Sequence, residues 1–341
     1  MYYPDKIKQF PITGLAGFGG GATGLVVAGG AVTPLFAGGD RGLMGGGRTG
    51  GGSSGATNRI DYINITSTSG GSDFGDLSQR REGGGDNITN GSRCCFAGGY
   101  SYSDSDNYDI IDYVTSSTTG NATDFGDLTT DQDSVSGCAD ANIGRGFCGP
   151  SYQDQDQLEY ITIATTGNSS DFGTLTLNSH SSAATSNGIY GWWHGGRGGS
   201  SAGSDVIGYL VTATLGNASD WGDLHRGYYA YSCTNSIDAA RIVQGGGYHG
   251  GPNTYGDWID YYTTASAGNA SDFGNLTVGR SGIATTGNST RAVFMGGYEE
   301  GGPLVDTMDY ITIASTGDAS DFGDLGGDDR AWGLANSGAA S

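Results

Sequence analysis

The sequence predicts an all-β fold, a six-bladed β-propeller that follows a glycine-rich N-terminal segment. Three observations predict it: the composition, a sixfold internal repeat, and a C-terminal segment that resembles part of a repeat. Of the 341 residues, 67 are glycine and only 15% are charged, which excludes a long-helix protein or a coiled coil. Glycine shows no Gly-X-Y period, which excludes collagen, and 11% aromatic residues are too many for a disordered glycine tract.

The repeat is marked by an Asp-Phe-Gly or Asp-Trp-Gly tripeptide at intervals of 51, 47, 49, 52 and 49 residues. In every unit a tyrosine precedes the Phe or Trp by 12 residues. The six pairs are Tyr62 and Phe74, Tyr113 and Phe125, Tyr160 and Phe172, Tyr209 and Trp221, Tyr261 and Phe273, and Tyr310 and Phe322. Such a constant spacing indicates a rigid piece of structure.

Each unit contains the signals of four short strands. Alternation such as DYITI at 309–313, followed by a turn at 316–318, predicts two strands joined by a turn. Upstream, an apolar run that mostly ends in two glycines, such as RAVFMGG at 291–297, predicts a strand that ends where backbones approach closely. A weaker segment, such as 282–286, predicts the fourth strand. Four strands in about 50 residues are typical of a propeller blade.

The C-terminal tail predicts how the ring closes. RAWGLANSG at 330–338 resembles RSGIATTGN at 280–288, and the first unit lacks its own copy of this segment. A C-terminal strand beside residues 41–46 would complete the first blade and leave no exposed sheet edge. Six blades therefore fit, although GLVVAGG at 24–30 is an alternative start of a seventh. Residues 1–39 do not match the repeat and are predicted to form an anchoring arm before a propeller domain at 40–341.

The motifs resemble those of known repeat proteins. Two glycines, then a tyrosine strand, then an aromatic residue at fixed distance resemble the kelch repeat, although Phe replaces Trp in five units and the third unit has Cys148-Gly149-Pro150. The composite unit, IDYITIATTGNASDFGDL, resembles kelch-like repeat proteins of tailed bacteriophages of marine and cyanobacterial hosts. This resemblance implies a non-enzymatic structural or adhesion protein of the virion, on tail or capsid, released by lysis without a signal peptide. It also implies host-surface glycan or protein as the ligand, and contact with other virion proteins through the arm.

Charge and composition exclude several other classes. A net charge of −21 repels phosphate backbones and anionic lipid, so binding of nucleic acid is not expected, and no apolar run is long enough for membrane insertion. The five cysteines lack CxxC spacing, and Cys94 and Cys95 are predicted to be buried structural thiols. The four histidines, at 180, 194, 225 and 249, do not occupy matching repeat positions and are predicted to be surface or turn residues.

Two sets of residues are candidates for binding. The loops between the double glycine and the tyrosine strand are variable and carry aromatic residues, namely Tyr100, Tyr102, Tyr108, Tyr152, Tyr248, Tyr255 and Trp258. These side chains suit a recognition rim for glycan or protein, or alternatively they cap the blade edges. Asp104, Asp106 and Asp109 offer carboxylate oxygens on one short loop, which suits calcium, or they form a solvated acidic surface.

Other functional patterns are weaker. Sequon-like triplets at Asn121, Asn217 and Asn269 recur at one turn of the repeat, which favours turn chemistry over glycosylation. No catalytic residue is assigned. A polysaccharide-cleaving propeller is an alternative that requires two converging carboxylates, and a cellular kelch-type interaction scaffold is another.

Overall fold

The computed structural model describes residues 39–50, 55–176, 178–198, 203–228, 240–249, 254–327 and 329–338. This part of the chain consists of strands and turns without a helix, which confirms the all-β class, and it accordingly offers no helix that could span a membrane. Apart from Gly39, the predicted anchoring arm lies outside the described residues, as does the alternative repeat start at 24–30.

The strands form six small antiparallel sheets arranged as the blades of a propeller. Within each blade the strands pair in the order in which the repeat presents them, from the innermost to the outermost. Blade 1 contains Leu334–Gly338, Arg41–Gly45, Arg59–Asn64 and Ser72–Asp76; blade 2 contains Gly85–Thr89, Arg93–Ala97, Asp106–Thr115 and Thr123–Gln132; blade 3 contains Gly137–Asp140, Arg145–Cys148, Gln157–Thr162 and Ser170–Thr174. Blade 4 contains Ala183–Ser186, Tyr190–His194, Ser204–Val211 and Ser219–Tyr228; blade 5 contains Arg241–Gly245, Trp258–Thr263 and Ser271–Asn275; blade 6 contains Ala284–Gly287, Arg291–Glu299, Leu304–Thr312 and Ser320–Asp324.

The C-terminal strand closes the ring, as the sequence predicts. Leu334–Gly338 pairs antiparallel with Arg41–Gly45, with Leu334 opposite Gly45 and Gly338 opposite Arg41. Blade 6 lies directly beside blade 1, since the Thr286 hydroxyl donates to the Asn336 carbonyl at 2.7 Å. The described residues therefore close a ring of six blades, and the alternative with seven blades is wrong.

The repeated tyrosine and Phe or Trp form the contact between the third and fourth strands of each blade. Five Tyr–Phe pairs pack edge to face with ring centroids 5.8–6.1 Å apart, and Tyr209 and Trp221 lie at 4.9 Å. In five blades an arginine lies 4.6–5.0 Å above the tyrosine and donates to a carbonyl of the next blade; these are Arg41, Arg93, Arg145, Arg241 and Arg291. Blade 4 has Tyr190 at the arginine position and Trp221 at the phenylalanine position. The two replacements therefore occur in the same blade, where Tyr190 packs on Tyr209 and Trp221.

The Asp-Phe-Gly tripeptide has a separate role for each residue, as blade 2 illustrates. The Asp124 carboxylate accepts a hydrogen bond from the Gly126 backbone N–H at 3.1 Å, and Phe125 is buried in the core. Gly126 has a φ of 145°, and a Cβ there would lie 2.5 Å from the carbonyl carbon of Gly167 in the next blade. Only glycine allows the two backbones to approach this closely.

The recurring Asn turn binds one blade to the preceding one. The Asn121 side-chain oxygen accepts the Asp76 N–H at 3.1 Å, while the Gly120 and Ala122 N–H groups donate to carbonyls of Phe74 and Asp76 at 2.7 Å. The same side-chain bond is made by Asn168, Asn217, Asn269 and Asp318. These bonds satisfy part of the outer strand edge, which agrees with the predicted turn chemistry.

Among the described residues, three blades contain a buried ion pair between the blade core and the linker from the preceding blade. These pairs are Arg81 with Asp112 at 2.9 Å, Arg280 with Asp309 at 2.8 Å, and Arg330 with Asp61. Blade 3 has Gln132 in place of the arginine and Glu159 in place of the aspartate, and the Gln132 amide donates to the Glu159 carboxylate at 3.0 Å; blade 4 has Ser179 and Gly208 at these positions. Blade 4 thus lacks the arginine and the acidic residue together.

Candidate functional site

The topology brings the variable loops to one face of the ring. The loops between the second and third strands, such as 98–105, lie on the same face as the linkers between blades, such as 133–136. We call this the loop face, and the opposite face, which carries turns such as 116–122, the turn face. All seven predicted aromatic residues of the recognition rim belong to the loop-face loops or to the strand ends that border them.

The linkers surround the ring axis on the loop face. At one equivalent position in each of five linkers the backbone is left-handed, with φ between 54° and 64°; the residues are Gly83, Ser134, Ser181, Gly282 and Trp332. Gly83 donates its N–H to the Trp332 carbonyl at 3.0 Å, and Trp332 donates to the Gly282 carbonyl at 2.7 Å. These linkers line an axial cavity of about 50 Å³. A tryptophan at positive φ is uncommon and strained, and such strain is often found at functional sites.

A continuous row of six aromatic side chains and one arginine crosses the loop face from blade 5 to blade 2. We call it the aromatic arc. Its members are, in spatial order, Tyr248, Tyr255, Tyr298, Trp332, Arg48, Tyr102 and Tyr100, with successive side chains 4.1–6.0 Å apart. All seven are at least partly exposed. The arc therefore presents one extended surface built from four blades.

Arg48 joins the two halves of the aromatic arc. Its guanidinium lies 4.1 Å from the Tyr102 ring and 4.3 Å from the Trp332 ring. The same group donates to both carboxylate oxygens of Glu82, at 2.7 and 3.0 Å, so its charge is compensated inside the protein. Burial raises the pKa of Glu82, Arg48 opposes that rise, and the neighbouring Asp133 adds to it. Arg48 is thus a fixed, neutralised platform rather than a free cation.

The structure brings together four of the seven predicted rim residues, Tyr100, Tyr102, Tyr248 and Tyr255, in the aromatic arc. The other three lie apart. Tyr108 donates to Asp104 at 3.1 Å; Tyr152 is 57% exposed and packs edge to face on His180; Trp258 lies 4.3 Å from the Arg226 guanidinium.

Sequence reasoning missed three members of the arc, although a signal for two of them exists. Arg48 and Tyr298 directly follow a double glycine, as Tyr100 and Tyr248 do, so the repeat itself marks the position. Trp332 lies in the closing tail, where the equivalent residues are Gly and Ser, and nothing in the repeat indicates an exposed aromatic side chain there.

The predicted calcium ligands do not converge on one point in the described structure. The Asp104 carboxylate accepts hydrogen bonds from Ser101 at 2.7 Å and Tyr108 at 3.1 Å, and these bonds lower the pKa of Asp104. Burial raises the pKa of Asp109, and Asp127 and Asp131 add to that rise. Among the described residues no group of three His, Cys, Asp or Glu side chains is placed to hold a metal ion. Calcium at Asp104, Asp106 and Asp109 stays a prediction.

Two histidines differ from the prediction that all four are surface or turn residues. His180 and His194 are buried, and burial lowers the pKa of both to about 4. His194 lies on the second strand of blade 4, where its ring is hydrogen-bonded to Gln244 of blade 5. The sequence did not reveal this because neither residue has a histidine at the equivalent position of another repeat.

A polar groove lies between blades 1 and 2 on the loop face, beside the 100–108 hairpin. It has a volume of about 650 Å³ and is lined by backbone and side chains of 56–58 and 78–80 together with Asp104 and Tyr108. The lining is dominated by amides, hydroxyls and one pair of opposite charges, Arg80 and Asp104. We call it the polar groove.

The turn face carries an exposed apolar patch, formed by Ile143, Ile189, Val211 and Leu215, which are 37–62% exposed. The segments that carry them are hydrogen-bonded to one another, since Thr212 donates to the Ile189 carbonyl and Asn142 to the Gly188 carbonyl. In the other blades the position of Val211 is Asn or Thr, at 64, 115, 162, 263 and 312. The fold therefore does not require apolar side chains at this place, and such patches are typical of interaction surfaces.

Comparison with known proteins finds no match. No protein-family model matches the chain. No curated protein matches it either. A function for this chain therefore rests on its repeat and its propeller geometry.

Proposed function

We propose that the protein is a non-enzymatic recognition protein of a tailed-phage virion, a kelch-like propeller on tail or capsid that contacts host-surface glycan or protein. The aromatic arc on the loop face is the observation that carries this proposal. The composite repeat, which resembles kelch-like phage proteins, supports the virion context. Contact with other virion proteins through residues 1–39 belongs to the same proposal.

The arc supports recognition because of its chemistry and its rigidity. Tyrosine and tryptophan offer large contact areas and lose little entropy when they bind, and Arg48 is already immobilised by Glu82. The strained backbone of Trp332 places an indole where the equivalent positions carry only Gly or Ser. A residue that costs stability and adds exposed aromatic surface is better explained by binding than by folding.

The polysaccharide-cleaving alternative is less well supported. Glu82 and Asp133 are neighbouring carboxyl groups near the axis whose pKa values are both raised, chiefly by burial. Both Glu82 oxygens, however, accept hydrogen bonds from Arg48, and Asp133 accepts one from Ser134. Neither carboxyl is placed as the free acid and base that glycoside hydrolysis needs. A cellular interaction scaffold would use the same face, so it differs from the first proposal only in its location.

The proposal is tested by removing the indole of Trp332. Because the backbone there has a φ of 56° and Gly83 and Gly282 fill equivalent positions, Trp332→Gly is expected to keep the fold and to relieve strain. We expect adsorption of the labelled variant to cultured marine cyanobacterial cells to fall about tenfold relative to wild type. Mass spectrometry of purified virions is expected to detect the protein.

The matched control is Leu215→Thr on the turn face, where four other blades with a threonine at this position, such as Thr119, show that the change is compatible with the fold. This variant should adsorb like wild type. Equal adsorption of wild type and Trp332→Gly, with both folded by circular dichroism, would contradict a recognition role for the arc.

A further inference from the structure

We propose that the polar groove together with Tyr102 is the primary binding site for an uncharged oligosaccharide, which then continues along the aromatic arc. This inference rests on the proposed recognition function and adds the ligand class and the site. Glycan sites combine an aromatic surface with a few fixed polar groups that orient the ligand, and this part of the loop face offers both.

The polar groove supplies the hydrogen-bonding half of the site. Its lining offers the Gln79 amide, the Arg80 guanidinium, the Asp104 carboxylate and the side-chain oxygen of Asn58, whereas the Ser78 hydroxyl already donates to Asp112 and the Asn58 amide N–H to the Leu77 carbonyl. These groups include both donors and acceptors, which suits sugar hydroxyls because each hydroxyl both donates and accepts. A volume of about 650 Å³ lies within the range of about 300–1,000 Å³ typical of small-ligand pockets.

The 100–108 hairpin connects the groove to an exposed aromatic ring. Asp104, which lines the groove, is held by Ser101 and Tyr108, so the hairpin places this carboxylate without a ligand. Tyr102 lies two residues away and is 39% exposed, and it is held by the Arg48 guanidinium and by a perpendicular contact with Tyr100, with ring centroids 4.7 Å apart. A rigid, partly exposed ring beside a polar groove can stack on the apolar face of a sugar.

The charges of the site favour an uncharged ligand. The protein has a net charge of −21, which repels anionic polysaccharides at long range. The two arginines of the site do not reverse this, because Arg48 is paired with Glu82 and Arg80 lies near Asp104. An amino sugar gains no unpaired carboxylate in the groove, because Asp104 already accepts hydrogen bonds from Ser101 and Tyr108 and lies near Arg80.

The shape of the surface favours an extended ligand. From Tyr102 the aromatic arc continues through Arg48 and Trp332 to the tyrosines of blades 6 and 5. A compact ligand would use only the groove, whereas a chain of several sugars could stack on the successive rings. Affinity is therefore expected to rise with the number of sugar units.

The experiment is a glycan array that displays uncharged, uronic-acid-containing and amino-sugar oligosaccharides of two to eight units, probed with labelled full-length protein. We expect binding to uncharged oligosaccharides that strengthens with length. Arg80→Ala and Tyr102→Ala, both at exposed side chains, should weaken that binding about tenfold or more. Tyr152→Ala, which removes an exposed tyrosine from the same face in blade 3, is the matched control and should bind like wild type.

Three outcomes would overturn the inference: binding confined to charged glycans, undiminished binding by both Arg80→Ala and Tyr102→Ala, or no glycan bound at all. The proposed recognition function fails separately. If no glycan is bound but Trp332→Gly still abolishes adsorption to cells, the loop face recognises a protein, and only the glycan inference is lost. If the Trp332→Gly variant also adsorbs like wild type, the proposed recognition function is refuted as well.

Discussion

At the scale of single residues, the buried ion pairs show how charges are accommodated in an apolar core, since each is paired there with an opposite charge. Arg280 and Asp309 have fully buried side chains, and Arg280 also donates to the Phe294 carbonyl. A buried charge without its partner is costly, whereas loss of both partners costs far less. Blade 4 illustrates the second case within the same chain, since Ser179 and Gly208 replace both members.

We therefore predict that Asp309→Ala lowers the free energy of unfolding by about 3–5 kcal/mol, because it strands the Arg280 guanidinium. The double variant Arg280→Met with Asp309→Ala should lose less than Asp309→Ala alone. Urea denaturation monitored by circular dichroism measures both. Equal losses in the single and double variants would show that packing, and not the unpaired charge, determines the cost.

Buried histidine predicts a pH dependence of stability. Burial lowers the pKa of His194 to about 4, below the 6.5 of an exposed histidine, so the unfolded chain binds this proton more readily than the folded one. Its contribution to stability is complete above pH 6.5 and decreases as the pH falls towards 4, by up to about 3 kcal/mol. Protonation of Glu82 and Asp133, whose pKa values are raised, acts in the opposite direction.

The measurement is the urea midpoint between pH 7 and pH 4. His194→Gln should flatten this profile relative to wild type, because glutamine does not titrate. A wild-type profile that rises steadily towards pH 4 would mean that the carboxyl groups outweigh the histidines.

At the scale of structural elements, the most informative feature is the contact between the outer strand of one blade and the turn of the next. Five Asn or Asp side chains and several backbone bonds cap the outer edge. The junction from blade 6 to blade 1 differs, because Gly70 occupies the Asn position and a backbone bond joins Gly71 to the Asp324 carbonyl at 2.9 Å. This junction therefore lacks the side-chain bond of the other five.

Two glycines that face each other across one junction make a matched test of this contact. A Cβ at Gly222 would lie 2.5 Å from the Gly268 carbonyl oxygen, whereas a Cβ at Gly268 would have no atom within 4 Å. Gly222→Ala should therefore lower the unfolding free energy by about 2 kcal/mol or more, and Gly268→Ala should change it by less than about 0.5 kcal/mol. Thermal denaturation of both variants checks this, and equal effects would refute the close approach.

At the scale of the whole molecule, the pairing of Leu334–Gly338 with Arg41–Gly45 makes the ring depend on residues far apart in sequence. The innermost strand of blade 1 also lies against the innermost strands of blades 2 and 6. Long-range closure of this kind removes sheet edges but adds nothing until both ends of the chain are in place.

Deletion of residues 334–341 is predicted to abolish cooperative unfolding, since it removes the buried Leu334 and exposes the edge of Arg41–Gly45. Deletion of residues 1–39, which do not match the repeat, should leave a cooperative transition while preventing assembly with virion partners. Scanning calorimetry distinguishes the two. Loss of folding on removal of residues 1–39 would contradict closure by six blades.

The repeat pattern was sufficient to predict much of the fold. The constant spacing between tyrosine and Phe or Trp located a rigid strand pair, and the similarity of 330–338 to 280–288 located the closing strand. Four of the predicted rim tyrosines lie together in the aromatic arc because loops at equivalent repeat positions share a face, and their role in binding stays a prediction. His180 and His194 were misjudged because their burial arises from contacts that do not repeat.

By itself, then, the sequence determined the six blades, their strand pattern and the closing strand, because each depends on local periodicity that recurs along the chain. Only the tertiary structure decided that Arg48, Tyr298 and Trp332 complete one surface with Tyr102, and that the polar groove lies beside it. The reason is physical: a repeat fixes where each backbone goes, whereas the ring geometry decides which side chains of different blades meet.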